Sequence, residues 1–352
     1  CNTTGSFNTF IGREAGCSNT TGSQNVAIGN SALNLNTTAS SNIAIGFEAL
    51  SSSTTIGQLL AIGTQALKSN TSGYGNVAVG NQTLQNNTTG DRNTAIGDVA
   101  LNTNTTGTYN TAIGESVLRY NTTGTSNTAV GMSTMVRNTT GISNATLGTT
   151  SLFENTIGSY NVALGMDALR ANVANSTSVA IGHNSMKYAD SRTTGITTGN
   201  TAIGYEALMG STTAANNTGT MNTSIGYQTL KNNTSGYGNA LVGWNTLVNN
   251  TTGFLNSTLG QEALLNNTTG SRNIALGYQA LANKYIKVLG GSQVRPNIHI
   301  ADMVQVYRHF INDRSIPSGS YNAGFENLTI LEIANRIAAE VGAEITVEES
   351  ND

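Results

Sequence analysis

The sequence predicts a mainly β fold: a parallel β-solenoid or β-roll of stacked 17-residue coils, followed by a small α/β unit. Three observations predict it. A glycine preceded by an aliphatic residue recurs every 17 residues from Gly12 to Gly182, and again at Gly204, Gly226, Gly243, Gly260 and Gly277. Four other columns keep fixed residue types relative to that glycine. The composition then changes at residues 283–284. The repeat gives a shaft at 1–283 and the change gives a second unit at 284–352. At about 4.8 Å per coil, 16 coils make a rod of roughly 75 Å.

The strand comes first. The residue before the glycine is Ile, Val or Leu in every copy, from Ile11 and Ile28 to Leu276. The residue three before it shares its side of an extended strand, because side chains alternate. Val26 with Ile28, and Val77 with Val79, are therefore expected on the inner face. Ala27, Ala44, Ala78 and Ala95 would then face outward. Two readings of that alanine column stand: contact with another chain, or a plain solvent-facing ladder.

After the glycine, period two breaks, as in Gly204-Tyr205-Glu206-Ala207-Leu208, so a bend or helical turn is expected. The fourth residue is Leu or Met in every copy after the first and joins the expected core. An Asn stands four before the glycine, with Leu59 and Ser178 as exceptions. A second Asn opens an Asn-Thr-Thr-Gly turn, as at 87–90. Stacked in register, both Asn columns can form amide ladders. Steps of 22 residues lead into Gly204 and Gly226. Met186–Gly199 and Met209–Met221 are expected to leave the rod as lateral loops while the stack continues in phase.

So thin a core favours association. Burying two large aliphatics per coil gains roughly 1.5–3 kcal/mol each, against about 1–2 kcal/mol per residue of backbone ordering.

The string Asn-Thr-Ala-Ile-Gly at 93–97, 110–114 and 200–204 resembles the head repeats of YadA-like trimeric autotransporter adhesins, and similar repeats occur in phage tail fibres. The resemblance covers residues 1–283. It implies parallel β-rolls packed as a homotrimer and a fibre or adhesin, extracellular, on a virion or a cell surface. The adhesin unit is shorter than 17 residues.

Beyond residue 282 the charged residues, both prolines and two of the three histidines crowd together. Tyr285–Leu289 reads as a strand, residues 301–311 as a helix and 320–323 as a short strand. Thr329-Ile330-Leu331-Glu332 is a capping box before an amphipathic helix, and Glu344–Glu348 reads as a closing strand. Residues 295–304 and 321–329 resemble the C-terminal part of NAD-dependent sugar-nucleotide epimerases and dehydratases. The resemblance implies that Arg295 marks a remnant substrate-phosphate position. The family's glycine-rich phosphate loop and Tyr-x-x-x-Lys pair are missing from this sequence. No enzyme activity, catalytic residue, cofactor or metal is expected.

With 10% charged residues and a net charge of −3, no basic stripe predicts a nucleic-acid partner. No apolar run is long enough to span a bilayer. Tyr205, Tyr227, Trp244 and Tyr278 follow repeat glycines. Their rings could contact a host-surface carbohydrate, or simply pack between coils or chains. A rod that binds a polysaccharide or ice is the alternative function, although Thr in the strand column is mixed with Val, Ile and Leu. Cys1 and Cys17, near one period apart, could pair or stay free. The Asn-Thr-Thr triplets match glycan acceptors, but the turn alone explains them.

Overall fold

The computed structural model describes residues 2–189 and 191–282 in full, and the backbone of strands at 285–289 and 344–348. The chain divides into two units, Cys1–Ala282 and Asn283–Asp352. The first is a parallel β-solenoid. Each coil holds one three-residue strand, from β1 (Thr9–Ile11) to β16 (Ile274–Leu276), and the strands form one 16-stranded parallel sheet in sequence order. Neighbouring strands pair with aliphatic on aliphatic and alanine on alanine, as Ala95 pairs with Ala112 and Ile96 with Ile113.

The strands face the other way from the expectation. Ala27, Ala44, Ala95, Ala112 and Ala163 are fully buried, while no residue one or three before the glycine is buried in any strand. Ile96 is 39% exposed and Leu147 53%. The period of two was right and its phase wrong. The reason is room. Leu33, Leu50, Leu101 and Leu118, four after the glycine, fill the interior from a second wall and are fully buried. Between that wall and the strand most coils place only a methyl, although Leu241 in the strand Ala240–Val242 is fully buried at the alanine position beside an equally buried Leu247. The first coil is the test case: its strand carries Phe10 in place of the alanine, and Gly16 stands where later coils have Leu. A Cβ on Gly16 would lie 2.6 Å from the Phe10 ring. In the first coil the large side chain comes from the strand, and in most later coils it comes from the opposite wall.

Four corners per coil turn the chain. The repeat glycine itself has φ near +130°, as at Gly114, a region open in practice to glycine alone. Residues two and four after it, and the residue five before it, are left-handed in every coil, mostly without glycine: Ser116, Leu118 and Tyr109 have φ of 57°, 51° and 58°. Each such residue is costly by itself. Backbone bonds to the flanking coils hold it. Ser116 N–H donates back to Asp98 O at 2.9 Å, Tyr109 N–H back to Asp91 O at 3.0 Å, and Leu118 N–H forward to Thr134 O at 3.1 Å.

Both Asn columns form the expected ladders inside the coil. Asn121 Nδ2 donates to Asn104 Oδ1 at 2.8 Å and to Gly124 O at 3.0 Å, and its own Oδ1 accepts from Asn138 Nδ2 at 2.7 Å. In the second column Asn110 Oδ1 accepts from the backbone N–H of Asn127 at 3.1 Å. Where Ser53 replaces the ladder Asn, its hydroxyl bonds Ile56 O, and Asn36 Oδ1 is left buried without a donor. The triplet asparagines Asn19, Asn87, Asn104 and Asn121 are fully buried, so these side chains face the amide ladder rather than a glycan.

The stack stays in phase through both long steps, with Val179 paired to Thr201 and Thr201 to Thr223. The added segments are not wholly lateral, however. Met186, Thr198 and Asn217 are buried. Asn217 folds back so that its amide donates to Ser211 O at 2.8 Å and to Tyr188 O, while its Oδ1 accepts from Ser211 N–H at 2.9 Å. An insertion thus supplies an amide to the interior near the two coils whose ladder positions hold Ala189 and Ser211.

In the second unit, β17 (Tyr285–Leu289) and β18 (Glu344–Glu348) form a parallel pair, at the two places where strands were expected. The expected helices and short strand at 301–341, and Arg295, lie outside the described residues, as does Cys1.

Candidate functional surfaces

Three surfaces of the solenoid carry chemistry. The first is the outer face of the sheet. Its two columns are set by the inward alanine between them. The column before the glycine is Ile, Val or Leu in all 16 strands. The column three before it is aliphatic in β2 (Val26–Ile28) through β5 (Val77–Val79) and threonine at Thr94, Thr111 and Thr128. A flat parallel sheet is normally covered on both faces. This one presents an unbroken apolar column along its whole length.

The second surface is the aromatic edge. The residue after each glycine lies directly outside the first corner, so equivalent residues stack from coil to coil. His183 and Tyr205 have ring centroids 5.5 Å apart, Tyr205 and Tyr227 5.1 Å with planes 12° apart, and Tyr227 and Trp244 6.1 Å. Tyr205 and Tyr227 cover each other's faces, while His183 and Trp244 meet the stack tilted, with planes 48° and 31° apart. Tyr278 is separated from Trp244 by the Gln261 level, belongs to no ring pair among the described residues, and is 67% exposed. Of Tyr205, Tyr227, Trp244 and Tyr278, the structure brings the first three together and adds His183. Beside them Glu206 accepts from Lys231 at 2.7 Å and Gln228 at 2.8 Å. Burial pushes the Glu206 carboxyl up, but those bonds outweigh it and hold it below the ordinary value. Hydrogen bonding to this carboxylate raises the Tyr205 hydroxyl.

The third surface is the edge five and six residues after the glycine. Glu48–Lys68, Asp167–Lys187 and Glu206–Lys231 repeat one geometry, an acid two after its glycine and a lysine five after the next. Between coils 7 and 11, counting coils by their glycines, this edge gathers arginines and aromatic rings. Arg137 and Arg170 both lie over the Phe153 ring, 5.9 and 6.0 Å from its centroid. No sequence signal announced this strip, because residues at 16- to 18-residue separations look scattered until the period is folded.

A small cleft opens between the added segments, lined by Asn172, Tyr188, Thr198, Asn200, Asn217 and Asn233. Cys17 is a half-buried free thiol. No helix among the described residues is long and apolar enough to cross a membrane. Among the described residues no group of His, Cys, Asp and Glu is arranged to hold a metal ion. Comparison with protein-family models, with curated proteins and with solved structures finds no match.

Proposed function

We propose that the chain is the shaft of a structural fibre or adhesin, self-associated as a homotrimer and displayed outside the cell or on a virion, where it carries or forms a region that binds a host surface. The outward aliphatic column of the sheet carries this reading. Over 16 strands the face is roughly 75 Å long and about 10 Å wide, or on the order of 750 Å². That is close to the roughly 800 Å² per partner of a stable protein interface. About half of that area is the unbroken aliphatic column and the rest is mixed aliphatic and threonine, a continuous apolar strip of a few hundred Å² that is typical of an interaction surface. The expected motive for association, an outward alanine column, is replaced by a stronger one. The resemblance to adhesin head repeats supplies the number three.

A glycan-binding rod is the second reading, favoured by the exposed rings and cations of the other two edges. Ice binding has less support, because outward Thr94, Thr111 and Thr128 are flanked by Val77 and Ala145 in the same column. The reading is non-enzymatic. The epimerase-like segment lacks in its own sequence the phosphate loop and the Tyr/Lys pair that its family's chemistry needs.

Native mass tests the proposal. The protein should run as a trimer by light scattering, and the triple variant Ile96→Glu, Ile113→Glu, Val130→Glu should dissociate to a folded monomer. A wild-type protein that is monomeric at micromolar concentration sinks the reading.

A further inference from the structure

We propose that the edge of coils 7–11 is a binding strip for an acidic polysaccharide, a polymer carrying a carboxylate on each successive sugar. The inference deepens the surface-fibre reading by naming the chemistry of one partner.

The strip is built from Arg119, Tyr120, Arg137, Phe153, Arg170 and Lys187, five or six after consecutive repeat glycines. It spans four coil steps, about 19 Å, with roughly one cation per coil except at Phe153. Elsewhere along the same edge the described residues are neutral apart from the isolated Lys68 and Lys231.

Its cations are held in place before any ligand arrives. The Arg119 guanidinium lies 5.3 Å from the Tyr120 ring centroid, and Lys187 Nζ lies 5.6 Å from that of Tyr188. The guanidiniums of Arg137 and Arg170 both lie over the Phe153 ring. A guanidinium over a ring is ordered by that contact while its terminal nitrogens can still meet a carboxylate, and in Arg137 and Arg170 only Nε is engaged, by Glu154 and Asp167. Pre-ordering also lowers the entropy lost on binding.

Two of the strip's carboxylates pair with its cations. Asp167 is 15% exposed and pairs with Lys187, itself 19% exposed, at 2.9 Å and with the more exposed Arg170 at 3.6 Å. Glu154 is 34% exposed and bonds Arg137 at 3.1 Å, while the Arg137 side chain is 58% exposed and that of Arg170 46%. Arg119 has no carboxylate within ion-pair distance among the described residues. Four cations therefore stand against three carboxylates, Asp167, Glu154 and the exposed Glu115 of coil 7, on a chain of net charge −3.

The arrangement disfavours nucleic acid. Single-stranded nucleic acid is held by stacking bases on free aromatic faces. The Tyr120 and Phe153 rings already carry arginines, and four cations are few against the roughly six to ten phosphate contacts of typical duplex binders.

The test uses the full chain and three probes: polygalacturonate, uncharged dextran and oligothymidylate. By calorimetry, polygalacturonate should bind, more weakly as salt is raised, and dextran should not. The double variant Arg119→Gln, Arg137→Gln should lose roughly tenfold or more in affinity, with unchanged melting temperature and native mass. Lys68→Gln, on the same edge outside the strip, should keep wild-type affinity. The inference is overturned if polygalacturonate does not bind, if the double variant binds as well as wild type, if Lys68→Gln weakens binding equally, or if oligothymidylate binds more tightly. Native mass on the same samples separates the two ideas. A trimer that binds no polyuronate removes the strip and keeps the fibre; a monomer that binds it does the reverse.

Discussion

Replacing Asn121 by Asp changes one atom in the middle of the amide ladder and leaves the shape intact. In the native coil the Asn121 amide gives one proton to Asn104 Oδ1 and one to Gly124 O, and its carbonyl accepts from Asn138. An ionised carboxylate in its place can only accept. Gly124 O keeps a donor, because Asn110 Nδ2 also reaches it at 2.9 Å. Asn104 Oδ1 has no other donor and would face a carboxylate. Orphaning one buried acceptor costs about 1–3 kcal/mol. Burying an uncompensated charge adds several more, limited by the carboxyl's freedom to take up a proton, while the bond from Asn138 strengthens by about 1 kcal/mol. The net expectation is about 3 kcal/mol at pH 7. Hydrogen exchange reads it locally: amides of the neighbouring strands should open roughly a hundredfold more often than in wild type at the same pH. The pH dependence gives the sign. The buried carboxyl has a folded pKa raised above its unfolded value of about 3.9. Its cost is therefore full at pH values above the folded pKa and fades as pH falls towards about 4. Once protonated, the introduced carboxyl recovers one donor, and the gap from wild type should narrow. If Asn121→Asp exchanges like wild type at pH 7, or if the gap does not narrow on acidification, the interior amide ladder is wrong.

Three further outcomes are expected. Gly114→Ala should cost about 3 kcal/mol or more in urea unfolding, because φ is +130° and the new Cβ would lie 2.5 Å from Gly131 O; a neutral result would refute the corner geometry. Ala112→Leu should cost about 1–3 kcal/mol by overpacking while Ile113→Ala leaves the folded coil nearly as stable, and the opposite order would restore the alanine-outward strand. Asp167 is pushed up by burial but held below its ordinary value by the bonds from Thr150 and Lys187, so its contribution is present above about pH 4 and lost as pH falls through the folded pKa. The stability advantage of wild type over Lys187→Met in thermal melts should accordingly shrink on acidification below about pH 4; an advantage that grows there would contradict the pairing.

Much of the fold was legible because the repeat is a direct record of the coil. The column of glycines marks one corner. The position before it marks the strand, and the unbroken phase of Ile203 and Ile225 shows that the stack survives the added segments. The Asn columns announced the ladders. The surfaces were legible only in part. Tyr205, Tyr227 and Trp244 share a column and were found together, but their column position could not tell stacked faces from free ones. Arg137, Phe153 and Arg170 fall in two different columns, so no single column gathered them.

By itself the sequence determined the coil: its length, its strand, its glycine corner and the register of each coil on the next. These are local or strictly periodic, and a 17-residue spacing carries them without reference to the interior. The tertiary structure decided which face of each strand is inside. A strand alternates whichever way it points, and aliphatic residues favour the interior only where the interior has room. Here Leu118 and most of its equivalents enter from the opposite wall and leave space for a small side chain, with Leu241 the large exception. The same packing decided the remaining corners. Ser116, Leu118 and Tyr109 have no intrinsic preference for left-handed backbone, and they adopt it because bonds to the coils on either side repay the strain. Those bonds exist only once the coils are stacked, and that stacking is what leaves the aliphatic column facing out along the rod.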